Sequence, residues 1–151
     1  GFMLNNELTD FSFLPDYDGL PVANRVEAGK RPLSSMSPTM IFDKNGNIHS
    51  LTGSPGGTSI IGYVAKSIIG LLDWEMSPQE AINLPHYMRK KEQTELEKDT
   101  ELEKIKEILI KKGHEVSIKR KRSGLHVAKK VDGGYIGGAD IRGEGTIIQI
   151  D

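Results

Sequence analysis

Residues 48–72 read IHSLTGSPGGTSIIGYVAKSIIGLL, in which a β-capable run, a glycine-rich turn and apolar residues at spacings of three and four follow one another. Their order predicts a strand, a tight turn and a helix with one apolar face. In the turn, Pro55 fixes one backbone angle, while Gly56 and Gly57 let the backbone approach a ligand without a Cβ in the way. The first N–H groups of a helix lack partners within it and favour a nearby negative charge.

The Gly56-Gly57 pair is therefore a candidate binding site for negative charge. Two such N–H groups can hold a carboxylate, a phosphate or a developing oxyanion. The sequence GSPGGT is neither a P-loop, which needs Gly-Lys followed by Ser or Thr, nor a dinucleotide-binding fingerprint. A plain strand-to-helix turn is the alternative interpretation.

Strand and helix signals on both sides of this turn predict an α+β protein. Two β-capable runs, residues 39–42 and 48–52, flank the Asn-Gly pair at residues 45–46, an arrangement typical of a hairpin. Ser77, Pro78 and Glu80 form a capping box that begins a second helix. Apolar residues at helical spacing predict a third amphipathic helix, which ends at Gly113. Later strands are predicted at residues 115–119, 125–130, 135–136 and 146–150, with a tight hairpin at residues 133–134. We expect one domain, residues 1–151, with the helices of residues 58–112 packed on antiparallel sheets.

Composition excludes several classes of protein. The chain has 151 residues, with 20 Lys and Arg against 21 Asp and Glu and a net charge of −1. Binding to nucleic acid or to a membrane surface needs a basic excess, and no apolar run approaches the roughly 20 residues that span a bilayer. Cys is absent and the four His are scattered, so we expect no metal site and no cofactor. No Ser-His-Asp arrangement can be argued from the sequence.

Two polar segments near the start of the chain could bind a charged ligand. Ser34 and Ser35 are adjacent hydroxyls between two prolines, and they can converge on a carboxylate as neutral donors. Glu7 and Asp10 are three residues apart and can share one side of a turn, which would suit an ammonium group. Ordinary solvated loops are the alternative interpretation of both segments.

The combination and order of these segments resemble the C-terminal, small-subunit region of the gamma-glutamyltranspeptidases, in the N-terminal nucleophile hydrolase superfamily. The stretches that give the resemblance are LNNELTDFS at 4–12, GKRPLSSMSPT at 29–39 and GSPGG at 53–57. Others are SPQEAI at 77–82, GHEV at 113–116, SGLH at 123–126 and GADIRGEG at 138–145. The match is weakest over residues 85–104.

The resemblance implies an αββα sandwich built with a large subunit that is cut from the same precursor. It also implies that an N-terminal threonine attacks a γ-glutamyl amide such as glutathione, and that the resulting ester passes to water or to an amino acid. By the same resemblance, Gly56 and Gly57 form the oxyanion hole, Ser34 and Ser35 bind the α-carboxylate, and Glu7 and Asp10 bind the α-ammonium. Many bacterial relatives are exported, so the resemblance favours the periplasm or secretion over the cytoplasm.

The nucleophilic threonine is expected before Gly1, so we expect this chain to be inactive by itself. Three alternatives to the γ-glutamyl enzyme also stay open. A relative that acts on glutaryl amides, as cephalosporin acylases do, or on poly-γ-glutamate would use the same framework. A catalytically inactive member or fragment is the non-enzymatic alternative. Two acids, Glu7 and Asp10, favour a substrate with an α-ammonium, which a glutaryl group lacks.

Overall fold

The computed structural model describes residues 4–148, which fall into two compact units. The N-terminal unit ends at Ser35, and the C-terminal unit begins at Met36. The single domain expected over residues 1–151 stays a prediction. Within residues 4–148, no helix combines the length and apolar character needed to cross a membrane. In the same residues, no group of three or more His, Asp or Glu side chains could hold a metal ion.

The N-terminal unit contains a 3-10 turn and one short hairpin. The turn covers Glu7–Asp10, and the hairpin pairs β1 (Asp16–Tyr17) with β2 (Leu20–Pro21). Asn24 links two parts of this unit, because its Nδ2 donates to the Asp10 carbonyl at 2.6 Å and its Oδ1 accepts from Leu33 N at 2.9 Å. One side chain thus connects the acidic turn to the segment that leads into the two serines.

The C-terminal unit contains seven strands and three α-helices among its described residues. In chain order the elements are β3 (Thr39–Phe42), β4 (Ile48–Gly53), α1 (Ile60–Leu72), α2 (Pro78–Asn83), β5 (Tyr87–Lys90), β6 (Gln93–Glu97), α3 (Lys106–Lys111), β7 (Glu115–Lys119), β8 (His126–Val131) and β9 (Gly134–Ala139). A 3-10 turn, Gly57–Ser59, precedes α1, and another, Glu101–Ile105, precedes α3.

Two sheets organise this unit. The four-stranded sheet has the order β3-β4-β8-β9 and is antiparallel throughout. The three-stranded sheet has the order β5-β6-β7, and β6 pairs with β7 in parallel. Helices α1 and α2 contact the four-stranded sheet. The core between them consists of Tyr63, Leu71, Ala81, Ile82, Leu125 and Val127.

Local sequence signals predicted several of these elements correctly. The hairpin at Asn45-Gly46, the first helix and the second hairpin at residues 133–134 are confirmed. The capping box of α2 is also confirmed, since the Ser77 hydroxyl accepts from Glu80 N and the Glu80 carboxylate accepts from Ser77 N at 2.9 Å. The α+β class is confirmed as well.

The prediction that residues 58–112 are all helical is wrong, because β5 and β6 lie within them. Strand β6 buries Glu95, Leu96 and Glu97 in succession, so it shows no alternation. Burial of Glu95 depends on Lys119 and Lys121, whose Nζ atoms lie 2.7 Å and 2.5 Å from its carboxylate oxygens. Burial raises the pKa of Glu95, but hydrogen bonds and charge from these two lysines lower it to about 2. A strand stabilised by partners more than twenty residues away gives no local signal.

Three further predictions need correction. The sheets are not purely antiparallel, because β6 and β7 run in parallel. The third helix is divided into a 3-10 turn and the short α3 before Gly113. Of the strand predicted at residues 146–150, residues 146–148 are not in a strand, and residues 149–150 lie outside the described residues.

Candidate functional site

The Gly56-Gly57 turn lies between β4 and the start of α1. Gly56 has φ +139° and Gly57 has φ +56°, a region of backbone conformation that favours glycine. Gly56 O accepts from Ser59 N at 3.2 Å, which closes the turn. Among the described residues, neither glycine N–H forms a backbone hydrogen bond. The turn therefore offers two main-chain donors at a helix start to a group outside it.

The turn is tightly packed on neighbouring residues of the C-terminal unit. A Cβ at Gly56 would lie 2.8 Å from Cε2 of Tyr63, so only glycine fits there. Gly124 N also contacts the turn, because it donates to Ser54 Oγ at 3.2 Å. A Cβ at Gly124 would lie 2.8 Å from Cγ of Pro55.

Beneath the turn is a buried polar network. The Ser123 hydroxyl donates to Asp140 Oδ2 and lies 2.7 Å from His86 Nε2. All three residues are buried, with relative exposures of 5%, 1% and 1% for Ser123, Asp140 and His86. The hydroxyl proton is directed to Asp140, so His86 Nε2 must carry a proton and donate to Ser123 Oγ. The serine stands between the other two groups, and the histidine is not placed to remove its proton, so this is not a nucleophilic triad.

An arginine and a glutamate complete the network. Arg142 Nε and Nη2 bind the Glu97 carboxylate at 2.5 Å and 3.0 Å, and Arg142 Nη1 lies 3.1 Å from Asp140 Oδ1. Burial lowers the pKa of Arg142, but the hydrogen bonds and charges of Glu97 and Asp140 raise it above its usual value. Burial raises the pKa of Asp140, but hydrogen bonds from Ser123, Arg142 N and Leu125 N, together with the Arg142 charge, lower it below its usual value.

The same environment keeps His86 neutral. Burial, together with the nearby charges of Lys66 and Arg142, lowers its pKa from 6.5 to about 3. The Lys66 ammonium itself donates to the Leu84 carbonyl. Burial, assisted by the Arg142 charge, lowers the pKa of Lys66 to about 7.

We expect the burial of His86 to make the protein sensitive to mild acid. Between pH 6.5 and about 4.5 the unfolded chain protonates this histidine and the folded chain does not, so the free energy of unfolding falls as pH falls. The expected loss is about 2 to 3 kcal/mol over this interval. Urea unfolding of the wild type and His86→Gln across this range measures it. The loss should shrink in His86→Gln and persist in His126→Gln, which removes an exposed histidine; equal pH profiles in the wild type and His86→Gln would contradict the expectation.

Four of the residues predicted to bind the substrate lie in the N-terminal unit. Glu7 and Asp10 lie at the two ends of the 3-10 turn. Within residues 4–148, Glu7 Oε1 is buried and has no hydrogen-bond partner. Ser34 and Ser35 end the unit, and Asn24 ties the segment before them to Asp10. Gly56 and Gly57 belong to the C-terminal unit, so the binding of one substrate by all six residues stays a prediction.

Comparison with known proteins gives the family. The Gamma-glutamyltranspeptidase family model matches residues 1–150. The chain belongs to this family. It is 35% identical over 150 residues to the glutathione hydrolase proenzyme of Escherichia coli, a match that covers 94% of this chain and 26% of the relative. The chain thus spans about a quarter of the length of this relative.

Two further proteins match nearly the whole of this chain. A solved mutant of the Helicobacter pylori gamma-glutamyltranspeptidase is 34% identical, with a TM-score of 0.78, and the match covers 95% of this chain and 82% of that one. This likeness is consistent with the N-terminal nucleophile hydrolase fold. The Acylase ACY 1 proenzyme of a Pseudomonas species is 32% identical over 152 residues, which is 99% of this chain and 26% of the relative.

Sequence reasoning missed the buried network. The sequence shows His86 only as one of four scattered histidines, although in the fold it is bound to Ser123, which is bound to Asp140. Ser123, Asp140 and Arg142 do lie in two of the stretches that resemble the family, SGLH and GADIRGEG. Those stretches were the available signal, but no local pattern shows that residues 37 and 17 positions apart share hydrogen bonds.

Proposed function

We propose that this chain is the substrate-binding and oxyanion-stabilising part of a gamma-glutamyltranspeptidase. The protein would cleave γ-glutamyl amides such as glutathione and transfer the γ-glutamyl group to water or to an amino acid. The main support is the Gly56-Gly57 turn, which offers two main-chain donors at a helix start in a chain of this family. A large subunit cut from the same precursor would be the partner chain, in keeping with the relatives named as proenzymes.

In the proposed reaction, a threonine outside these 151 residues attacks the γ-carbonyl carbon. The Gly56 and Gly57 N–H groups stabilise the oxyanion, which collapses to a γ-glutamyl ester as the amine leaves with a proton. Water or an acceptor amine then attacks the ester through a second oxyanion on the same donors, and the threonine hydroxyl is restored. Neither step requires a metal or a cofactor.

The N-terminal unit would bind the amino-acid end of the γ-glutamyl group. Ser34 and Ser35 would donate to its α-carboxylate, and Glu7 and Asp10 would accept from its α-ammonium. The buried Glu7 Oε1, which has no partner among the described residues, supports this role because an ammonium would satisfy it. The Asn24 side chain supports it as well, because it ties the acidic turn to the serine segment.

A glutaryl-amide acylase is the second candidate, because the Pseudomonas acylase matches nearly the whole chain. The two substrates differ at one group, since a glutaryl chain lacks the α-ammonium. We expect the full-length, processed protein to hydrolyse γ-glutamyl-p-nitroanilide at least about 30-fold faster, as kcat/KM, than glutaryl-p-nitroanilide, because a lost charged contact costs about 2 to 5 kcal/mol. Faster turnover of the glutaryl compound would favour the acylase, and turnover of neither would favour an inactive member of the family.

A further inference from the structure

We propose that Ser123 is a positioning residue, whose hydrogen bonds to Asp140 and His86 hold the Gly56-Gly57 turn in the geometry that binds the oxyanion. The inference rests on the proposed function and adds a residue to it. It concerns only residues of the C-terminal unit.

The first link is the contact between the turn and residues 122–124. Gly124 N donates to Ser54 Oγ, two residues before Gly56. Gly124 also lies so close to Pro55 that an added Cβ would stand 2.8 Å from Cγ and 3.0 Å from Cδ of the ring. A shift of Gly124 would therefore move the residues that lead into the two glycines.

The second link is what fixes Gly124. It lies in a stretch without regular secondary structure between β7 and β8, so no sheet ladder holds it. Ser123 and Leu125 on either side are both bound to Asp140 Oδ2, by the Ser123 hydroxyl and by Leu125 N at 3.2 Å. Arg142 fixes Asp140 in turn, through its N–H at 3.0 Å and its Nη1 at 3.1 Å.

The third link joins the network to Gly56 through Tyr63. His86, bound to Ser123 Oγ, lies against the Tyr63 ring with 4.1 Å between the ring centroids. The Tyr63 ring in turn closes the space at Gly56, where an added Cβ would stand 2.8 Å from Cε2. Ser123 thus acts on the turn by two routes, one through Gly124 and Pro55 and one through His86 and Tyr63.

Removing the Ser123 hydroxyl would leave two buried groups, Asp140 Oδ2 and His86 Nε2, without that partner. The cost of an unsatisfied buried group favours rearrangement of residues 122–125. A displacement of about 1 Å at a catalytic group can lower the rate about 100-fold. The effect should fall on the reaction step rather than on substrate binding, because Ser123 acts only on the oxyanion turn.

The test compares Ser123→Ala with Ser117→Ala in the full-length, processed protein. Ser117 is the matched control, because its buried hydroxyl has no hydrogen-bond partner within residues 4–148. With γ-glutamyl-p-nitroanilide we expect Ser123→Ala to lower kcat about 10- to 100-fold per mole of processed protein and to leave KM within about twofold. Ser117→Ala should keep the wild-type kcat. A purely structural role would lower the yield or the unfolding midpoint of Ser123→Ala without lowering kcat, and that result would overturn the proposal.

A second variant tests the link to the turn if Ser123→Ala does not fold. Gly124→Ala leaves the Ser123 hydroxyl in place and pushes on Pro55 alone, so it should also lower kcat at least about 10-fold with KM unchanged. Wild-type kcat in Gly124→Ala would overturn the proposal. A wild-type protein that cleaves no γ-glutamyl amide would instead defeat the proposed function, so the two failures are distinguishable.

Discussion

Replacing Gly56 by alanine should lower kcat for γ-glutamyl-p-nitroanilide about 100- to 1,000-fold in the full-length, processed protein, with little change in KM. Loss of one oxyanion donor has a cost of this size. Gly56 has φ +139°, and an added Cβ would stand 2.8 Å from the Tyr63 ring, so alanine must displace the turn. At Gly57 an added Cβ meets open space, so alanine there is strained only by the backbone at φ +56° and should lower kcat less.

A matched control separates catalysis from glycine strain. Gly46 also has a positive φ, +83°, with open space around an added Cβ, and it lies in the turn between β3 and β4. Gly46→Ala should cost about 1 kcal/mol of stability, as a left-handed residue does, and should keep kcat. Steady-state kinetics of the variants measures the loss of kcat, and thermal unfolding measures the loss of stability. A wild-type kcat for Gly56→Ala would contradict the oxyanion assignment.

Replacing Asp10 by asparagine should lower kcat/KM for γ-glutamyl-p-nitroanilide about 30- to 3,000-fold. Asp10 is exposed in the structure, and the proposed substrate would bury its carboxylate against the ammonium. Truncating one partner of such a buried charge pair costs about 2 to 5 kcal/mol, and each 1.4 kcal/mol is a factor of about ten. Glu7→Gln should act in the same direction, because its Oε1 is buried and lacks a partner in the described part of the chain. Both effects should appear mainly in KM, because the proposed function has the α-ammonium bound in the ground state and in the transition state alike.

The substrate itself provides the sharpest control for the acids. Glutaryl-p-nitroanilide has no α-ammonium, so Asp10→Asn should leave its kcat/KM unchanged or raise it, and the preference for the γ-glutamyl compound should shrink. Asp16→Asn removes an exposed acid of the same unit and should leave both values as in the wild type. Equal losses on both substrates would show that Asp10 acts on the fold and not on the ammonium.

Elements with local signals could be predicted from the sequence. The capping box at Ser77, the Asn45-Gly46 turn and the apolar face of α1 are encoded within a few residues, and all three are present in the structure. Strands β5 and β6 were not predictable in this way. The acids of β6 are buried because Lys119, Lys121 and Arg142 reach them from far along the chain.

The candidate site also has one part that could be predicted from the sequence and one part that could not. The turn at Gly56 and Gly57 could be predicted because a strand, a glycine pair and a helix follow one another directly, and its role as an oxyanion site stays a prediction. The network under them could not, since its hydrogen bonds join three separate segments of the chain at His86, Ser123 and Asp140. Backbone turns are local features, whereas the packing that holds a turn in place is a property of the folded chain.

A crystal structure of the full-length, processed protein with bound L-glutamate, the product of γ-glutamyl hydrolysis, tests the account most directly. We predict the α-carboxylate on the hydroxyls of Ser34 and Ser35, the α-ammonium on the carboxylates of Glu7 and Asp10, and a γ-carboxylate oxygen about 3 Å from the N–H groups of Gly56 and Gly57. A glutamate bound with its γ-carboxylate away from the two glycines, or with its ammonium away from both acids, would contradict the account.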